Sequence, residues 1–212
     1  MFARILAALL LMTSPVLTSL VLTTPAHAAD KLELESLDRV MGKDDAPLTV
    51  IEYASLTCPH CAHFHENVMP KLKAEWIDTG KAKLIYRDLP TGPVNLSIAG
   101  AMVTQCAPKD HYFPLLDLLF RSQDRWLGSP HPLDELKRVV GLAGITPADV
   151  DACLAKRDLG DAIQTRAQLG TQQFGIESTP SLVIGGKVYA GVQSYDALKP
   201  VLERALADAT KK

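Results

Sequence analysis

In this 212-residue chain, a short apolar run leading into a cysteine pair limits the fold more than any other feature. Leu48-Thr49-Val50-Ile51-Glu52-Tyr53-Ala54 is rich in β-formers, the pattern of a strand buried on both faces, with Glu52 its one charge. After three more residues comes Cys58-Pro59-His60-Cys61. Cys61, Phe64, Val68, Met69, Leu72 and Trp76 then recur at helical spacing, which gives one apolar face ending near Thr79-Gly80, with Pro70 as a kink inside it. Ala82, Leu84 and Tyr86 alternate with Lys81, Lys83, Ile85 and Arg87, which predicts a second strand. Strand, helix, strand within about forty residues is a βαβ unit, for which the parallel right-handed form is strongly favoured.

The junction gives the cysteines a chemistry. Pro59 suits the first position of a helix, because its missing N–H would be unpaired there anyway. Cys58 then falls near the N-cap, where free backbone N–H groups and the positive end of the helix dipole favour thiolate over thiol. An imidazolium at His60 would add to this. One helical turn brings Cys61 close enough to close a disulfide, so that a mixed disulfide at Cys58 can be resolved by Cys61, or the reverse sequence can donate a disulfide.

Zinc binding is the main competitor for an isolated CxxC, and His63 and His65 make the stretch rich in potential ligands. On a helix Cys58, Cys61 and His65 share a face while His60 and His63 point elsewhere. Four ligands do not converge, so no metal site is expected, and His63 and His65 read as solvated helix-face residues. Glu52 reads either as an exposed strand-end glutamate or as a buried acid, which without a partner would be costly and would need a reason.

Residues 31–47 are polar and charged and read as a short lead-in. Residues 93–174 show only helical patterns, among them Ile98, Ala101, Met102 and Gln105, then 115–120, then 133–142. Thr146-Pro147-Ala148-Asp149 supplies an N-cap, a first-turn proline and an early acid. Gly175 terminates a helix beginning near Asp158, and the mixed-sign Lys156-Arg157-Asp158 before it reads as a solvated turn. Past Thr179-Pro180, two short β-runs flank Gly185-Gly186, a two-residue hairpin signal. A last helix carries Leu198, Val201, Leu202, Ala205 and Leu206 on one face, with Pro200 as a kink or a first-turn residue. Trp76 and Trp126 read as packing residues.

The order strand, helix, strand, helical block, hairpin, helix resembles the thioredoxin topology with an inserted helical domain. Cys-Pro-His-Cys at the strand-to-helix junction resembles the DsbA family of thiol:disulfide oxidoreductases, over most of the chain after residue 28. The resemblance implies an α/β fold for residues 29–212, with the helical insertion at about 93–174. It also implies an exposed Cys58 nucleophile of low pKa, with Cys61 as buried partner. Glu52 stands where the family places a buried acid that assists proton transfer at the second cysteine. Thr179-Pro180 stands where it places a cis-proline that packs beside the disulfide and helps bind substrate backbone. Threonine before that proline is reminiscent of the isomerase branch, so the strength of oxidase activity stays open.

Cys106 and Cys153 both lie in the helical block. Four cysteines allow three pairings, and only Cys58–Cys61 with Cys106–Cys153 leaves the motif free to work. A Cys106–Cys153 bond would close a loop of about fifty residues and contribute on the order of 4 kcal/mol, the alternative being two buried free thiols.

Arg4, the apolar run 5–22, Pro25 and Ala26-His27-Ala28 have the order of a signal peptide, residues 1–28, cleaved after Ala28. Thr13, Ser14, Pro15, Thr18 and Ser19 weaken the alternative of an uncleaved anchor. Without residues 1–28, which hold one basic residue and no acid, 21 basic and 24 acidic residues give a formal charge of −3, unsuited to nucleic acid. Export with four cysteines points to an oxidising compartment, the bacterial periplasm. The expected activity is donation of the Cys58–Cys61 disulfide to reduced, unfolded exported proteins by a monomer that needs no cofactor beyond that disulfide. The resemblance implies a DsbB-like, quinone-linked membrane oxidase as the reoxidising partner. The alternatives are a reductase or isomerase of the same fold, a periplasmic copper-handling protein, or a chaperone or adhesion module whose disulfide is only structural.

Overall fold

The structure is a computed structural model that describes residues 37–211; the expected signal peptide, residues 1–28, lies outside the described residues. Strands β1 (Arg39–Met41), β2 (Leu48–Ala54), β3 (Ala82–Asp88), β4 (Ser181–Ile184) and β5 (Lys187–Ala190) form one sheet in the order β1-β3-β2-β4-β5. The central pair, β2 and β3, is parallel, as the βαβ reading requires, and the three outer pairings are antiparallel. Flanked on both edges and covered on both faces, β2 leaves only Thr49 partly open, which is why its sequence is nearly continuous in apolar residues.

The connection from β2 to β3 is α1 (Pro59–Asn67), α2 (Met69–Leu72) and a π-helical turn (Lys73–Ile77). The break falls at Val68, and Pro70 sits in the first turn of α2, where a proline needs no hydrogen-bond acceptor. Phe64, Val68, Leu72 and Trp76 bury the predicted apolar face against Val50, Leu84, Leu182 and Ile184 of the sheet. Each such fully buried side chain contributes roughly 1.5–3 kcal/mol. Helix α9 (Tyr195–Ala209) adds Leu198 and Leu202 to this layer. Pro200 lies inside α9, past the first turn, so of its two readings only the interior position stands.

Between β3 and β4 run α3 (Val94–Cys106), α4 (Tyr112–Arg121), α5 (Gln123–Leu127), α6 (Pro132–Gly141), α7 (Pro147–Leu154) and α8 (Arg157–Phe174), an inserted helical domain on a thioredoxin-like sheet. Thr146 caps α7 in a full capping box with Asp149, and Gly175 closes α8 in the left-handed conformation that glycine adopts without steric penalty. Residues 156–158 are exposed, as expected, but 157 and 158 belong to the first turn of α8 rather than to a turn before it. The core of the helical block, with Leu116, Leu119, Phe120, Trp126, Leu136 and Val139, is continuous with Leu56, Cys58, Cys61 and Tyr86. The cysteine pair therefore lies at the seam between sheet and helical block.

The lead-in reading of residues 31–47 is corrected from residue 37 onward, the first described position. Residues 39–41 form an edge strand on β3, and Asp38 is buried in a charge network. Arg87 donates from Nε and Nη2 to the two oxygens of Asp38, at 2.9 and 2.8 Å, and from Nη1 to the hydroxyl of Tyr53. Arg166 on α8 reaches Asp38 at 3.2 Å and Asp88 at 3.6 Å. A three-residue strand is too short to give a periodic signal, and the partners of Asp38 beside it lie about 50 to 130 residues away.

Candidate active site

The turn from β2 into α1 is braced from several sides. Ser55 Oγ accepts from the backbone N–H of Thr57 and of Thr91, and shares hydrogen bonds with the hydroxyls of Thr57 and Ser97. From α5, Gln123 Nε2 donates to the carbonyls of Leu56 at 2.8 Å and Cys58 at 3.1 Å. Sequence reading missed Gln123, Ser55 and Thr91; each is an ordinary polar residue whose partner is set by tertiary packing.

Cys58 is the N-cap of α1, with extended backbone (φ −89°, ψ 118°), and Pro59 follows in the first turn. The carbonyl of Cys58 accepts from the N–H of Cys61 at 3.0 Å and of Ala62 at 3.2 Å, so the first turn closes around the pair. Both cysteines are free thiols. Cys58 keeps 8% of its surface accessible and Cys61 none, so an external thiol can reach only the first sulfur. The expected exposed nucleophile is thus nearly buried, within the core cluster that joins sheet and helical block.

The fold separates the two sulfurs electrostatically. The Cys61 thiol donates to the sulfur of Cys58 and is the main cause that lowers the Cys58 pKa to about 5, against burial. The side chain of Thr179 and the backbone N–H groups of Cys61 and His60 act the same way. His60 thus contributes its backbone, and its exposed ring does not figure among these causes. Burial, reinforced by the Cys58 sulfur, pushes the Cys61 thiol far up. The helix-terminus argument made from sequence is present in the two N–H groups, but the neighbouring thiol outweighs it.

The Thr179–Pro180 bond is cis, as is Gly92–Pro93, which sequence reading did not mark. Cys58 Sγ lies 3.5 Å from the Thr179 carbonyl oxygen. Glu52 is fully buried, which removes its reading as an exposed strand-end residue. His65 is also buried, and its Nε2 lies 2.9 Å from Glu52 Oε1, so the solvated-face reading fails for His65 and stands for His63. The sequence did carry the signal: His65 shares a helix face with Cys61, and that face meets β2. Cys106 and Cys153 are joined by a disulfide across α3 and α7. Among the described residues, no three His, Cys, Asp or Glu side chains are grouped to hold a metal ion.

The model of the thioredoxin family matches residues 35–204. Disulfide bond formation protein D of Bacillus subtilis is 28% identical over 174 residues, covering 79% of this chain and 76% of its own. A Rickettsia bellii protein with the provisional name protein-disulfide oxidoreductase is 26% identical over 181 residues, 85% of this chain and 69% of its own. The crystal structure of Wolbachia pipientis alpha-DsbA1 superposes with a TM-score of 0.77 at 29% identity, covering 84% of this chain and 96% of that one.

Proposed function

The chain belongs to the thioredoxin family, and from that premise we propose that it is a DsbA-like protein thiol:disulfide oxidoreductase that donates the Cys58–Cys61 disulfide to exported proteins in the periplasm. The observation that carries this reading is the asymmetry of the pair: an accessible sulfur held as thiolate beside a buried sulfur held as thiol. A thiolate stabilised in the reduced protein stabilises the reduced form, which makes the disulfide a stronger oxidant.

In the oxidised protein a substrate thiolate attacks Cys58 Sγ, the Cys58–Cys61 bond breaks, and Cys61 leaves with the electron pair and takes up a proton. A second substrate thiolate then attacks the substrate sulfur of the mixed disulfide, and Cys58 leaves as a thiolate. The substrate loses two electrons and the pair gains them. A DsbB-like, quinone-linked membrane partner would return the pair to the disulfide. In this reading Thr179 and cis-Pro180 receive substrate backbone beside Cys58, and Cys106–Cys153 serves only to hold α3 and α7 together.

One second reading, a reductase or isomerase, rests on the identity of Thr179, since threonine before the cis-proline is reminiscent of the isomerase branch. Equilibrating the protein against glutathione and reading the alkylated fraction by mass separates the two. A potential near about −120 mV supports donation, and one near about −270 mV moves the reductase to first place.

A further inference from the structure

The two oxygens of the buried Glu52 carboxylate have different surroundings. Oε1 accepts from His65 Nε2 at 2.9 Å, while Oε2 has no hydrogen-bond partner among the described residues. Leaving a buried acceptor unpaired costs about 1–3 kcal/mol, more for a charged group, so the arrangement works against stability. His65 is itself fixed. Its ring stacks on Phe120 with centroids 4.0 Å apart and 20° between planes, and Tyr86 meets it edge-on at 6.2 Å.

The groups around this pair come from every neighbouring element. Helix α1 contributes Cys61 and Cys58, β3 contributes Tyr86, and Tyr112 on α4 packs behind Tyr86. On β4 the residue opposite Glu52 is the apolar Leu182. His65 is the one basic side chain paired with Glu52 among the described residues. Glu52 and Cys61 are close enough that the charge of one acts on the other.

Taking Glu52 as the acid that the family resemblance places beside the second cysteine, we propose that His65 is its positioning residue, holding Oε1 so that Oε2 is the atom that exchanges a proton with the sulfur of Cys61. The inference rests on the disulfide-exchange reading. When a mixed disulfide stands at Cys58, the Cys61 proton passes to the Glu52 carboxylate. The resulting thiolate attacks Cys58 Sγ, the Cys58–Cys61 bond forms, and the outgoing thiol leaves as a thiolate with the electron pair. In the donating direction, the carboxyl returns the proton to Cys61 as Cys61 leaves. Without such a group the buried Cys61 thiol would have to ionise unaided, against its raised pKa.

The test mixes the reduced full chain with oxidised glutathione across a pH series, quenches with acid, and follows the Cys58–glutathione adduct by mass. His65→Phe keeps a ring against Phe120 and removes the donor. It is expected to slow loss of the adduct by about tenfold or more at neutral pH and to move the pH profile upward, leaving the ultraviolet titration of Cys58 unchanged. His65→Gln, which can donate to Oε1, restores most of the rate. Glu52→Gln shows the same defect, and adding His65→Phe to it slows the step no further. Wild-type resolution in His65→Phe overturns the proposal, as does an additive loss in the double variant. Should His65→Phe not fold, wild-type resolution in Glu52→Gln overturns it equally. Failure of the wild-type protein to form any adduct at Cys58 would instead remove the disulfide-exchange reading on which the inference stands.

Discussion

Sγ of Cys58 lies 3.5 Å from the carbonyl oxygen of Thr179, a residue 121 positions away whose bond to Pro180 is cis. Thr179 acts on this sulfur in two opposed ways. Its carbonyl can accept the thiol hydrogen and so favours the neutral form, while its side chain donates to the thiolate and helps bring the Cys58 pKa down to about 5. The residue before the cis-proline therefore touches both forms of this sulfur, with an effect on the thiolate that comes after that of the Cys61 thiol.

Replacing Thr179 with Val keeps the shape and the carbonyl and removes the donor. The Cys58 pKa, read from thiolate absorbance against pH, is expected to rise above the wild-type value, and the disulfide is expected to become less oxidising. A tenfold change in the thiolate equilibrium is about 1.4 kcal/mol, or about 30 mV for a two-electron couple. An unchanged titration would mean that the hydroxyl does not reach the sulfur.

The same depressed pKa makes stability depend on pH. Cys58 falls from an ordinary thiol value of 9.0 to about 5 in the folded chain, so between these values the unfolded chain binds more protons than the native one. Stability from this group is fully present above the unfolded value and is lost as pH falls through about 5. Urea midpoints of the reduced protein and of Cys58→Ser, compared at pH 5 and pH 8, are expected to diverge as pH rises. A constant difference between the two would contradict the depressed pKa.

Asp38 joins the chain before β1 to β3 and α8 through two buried guanidinium groups, Arg87 and Arg166. Asp38→Asn removes one of the two buried carboxylates of this network, leaving Asp88 beside Arg166, and breaking a buried pair from one side typically costs about 3–5 kcal/mol. Chemical denaturation is expected to show a loss of that order, and a loss below about 1 kcal/mol would place this pair with the weak surface ion pairs.

The parts of the fold that could be read from sequence are those with local cause. The buried run 48–54, the helical face from Phe64 to Trp76, the Gly185-Gly186 hairpin and the Thr146 cap each follow from a few adjacent residues. The elements misread depend on distant partners. Arg39–Met41 is a strand because β3 offers a free edge, and Asp38 is buried because Arg87 and Arg166 converge on it. In the site, Cys58 and Cys61 declare themselves by spacing and position. His65 lies on the Cys61 face that meets β2, and the packing of α4, with Phe120 stacked over the ring, completes its burial through a contact that no local pattern announces. Gln123 had no signal at all, being an amide 65 residues from the carbonyl that it braces.

Helix α8 comes close to the sheet where Gly170 faces the ring of Tyr53 on β2. A Cβ at residue 170 would stand 2.3 Å from Tyr53 Cε1 and 2.7 Å from its hydroxyl, inside any real contact distance. The ring cannot swing aside freely, because it is fully buried and its hydroxyl accepts from Arg87 Nη1 at 2.9 Å. Gly170→Ala must therefore lift α8 or displace Tyr53, and with it the guanidinium that holds Asp38. In an exposed helix the substitution would stabilise by up to about 1 kcal/mol, since alanine is the better helix former. Here the overpacking term of about 1–3 kcal/mol decides the sign, and Gly170→Ala is expected to lower the denaturation midpoint. Combining it with Tyr53→Ala, which empties the contested space, should remove that penalty and leave the two changes non-additive. Additive losses, or a raised midpoint in Gly170→Ala alone, would show that the helix and the ring have room to part.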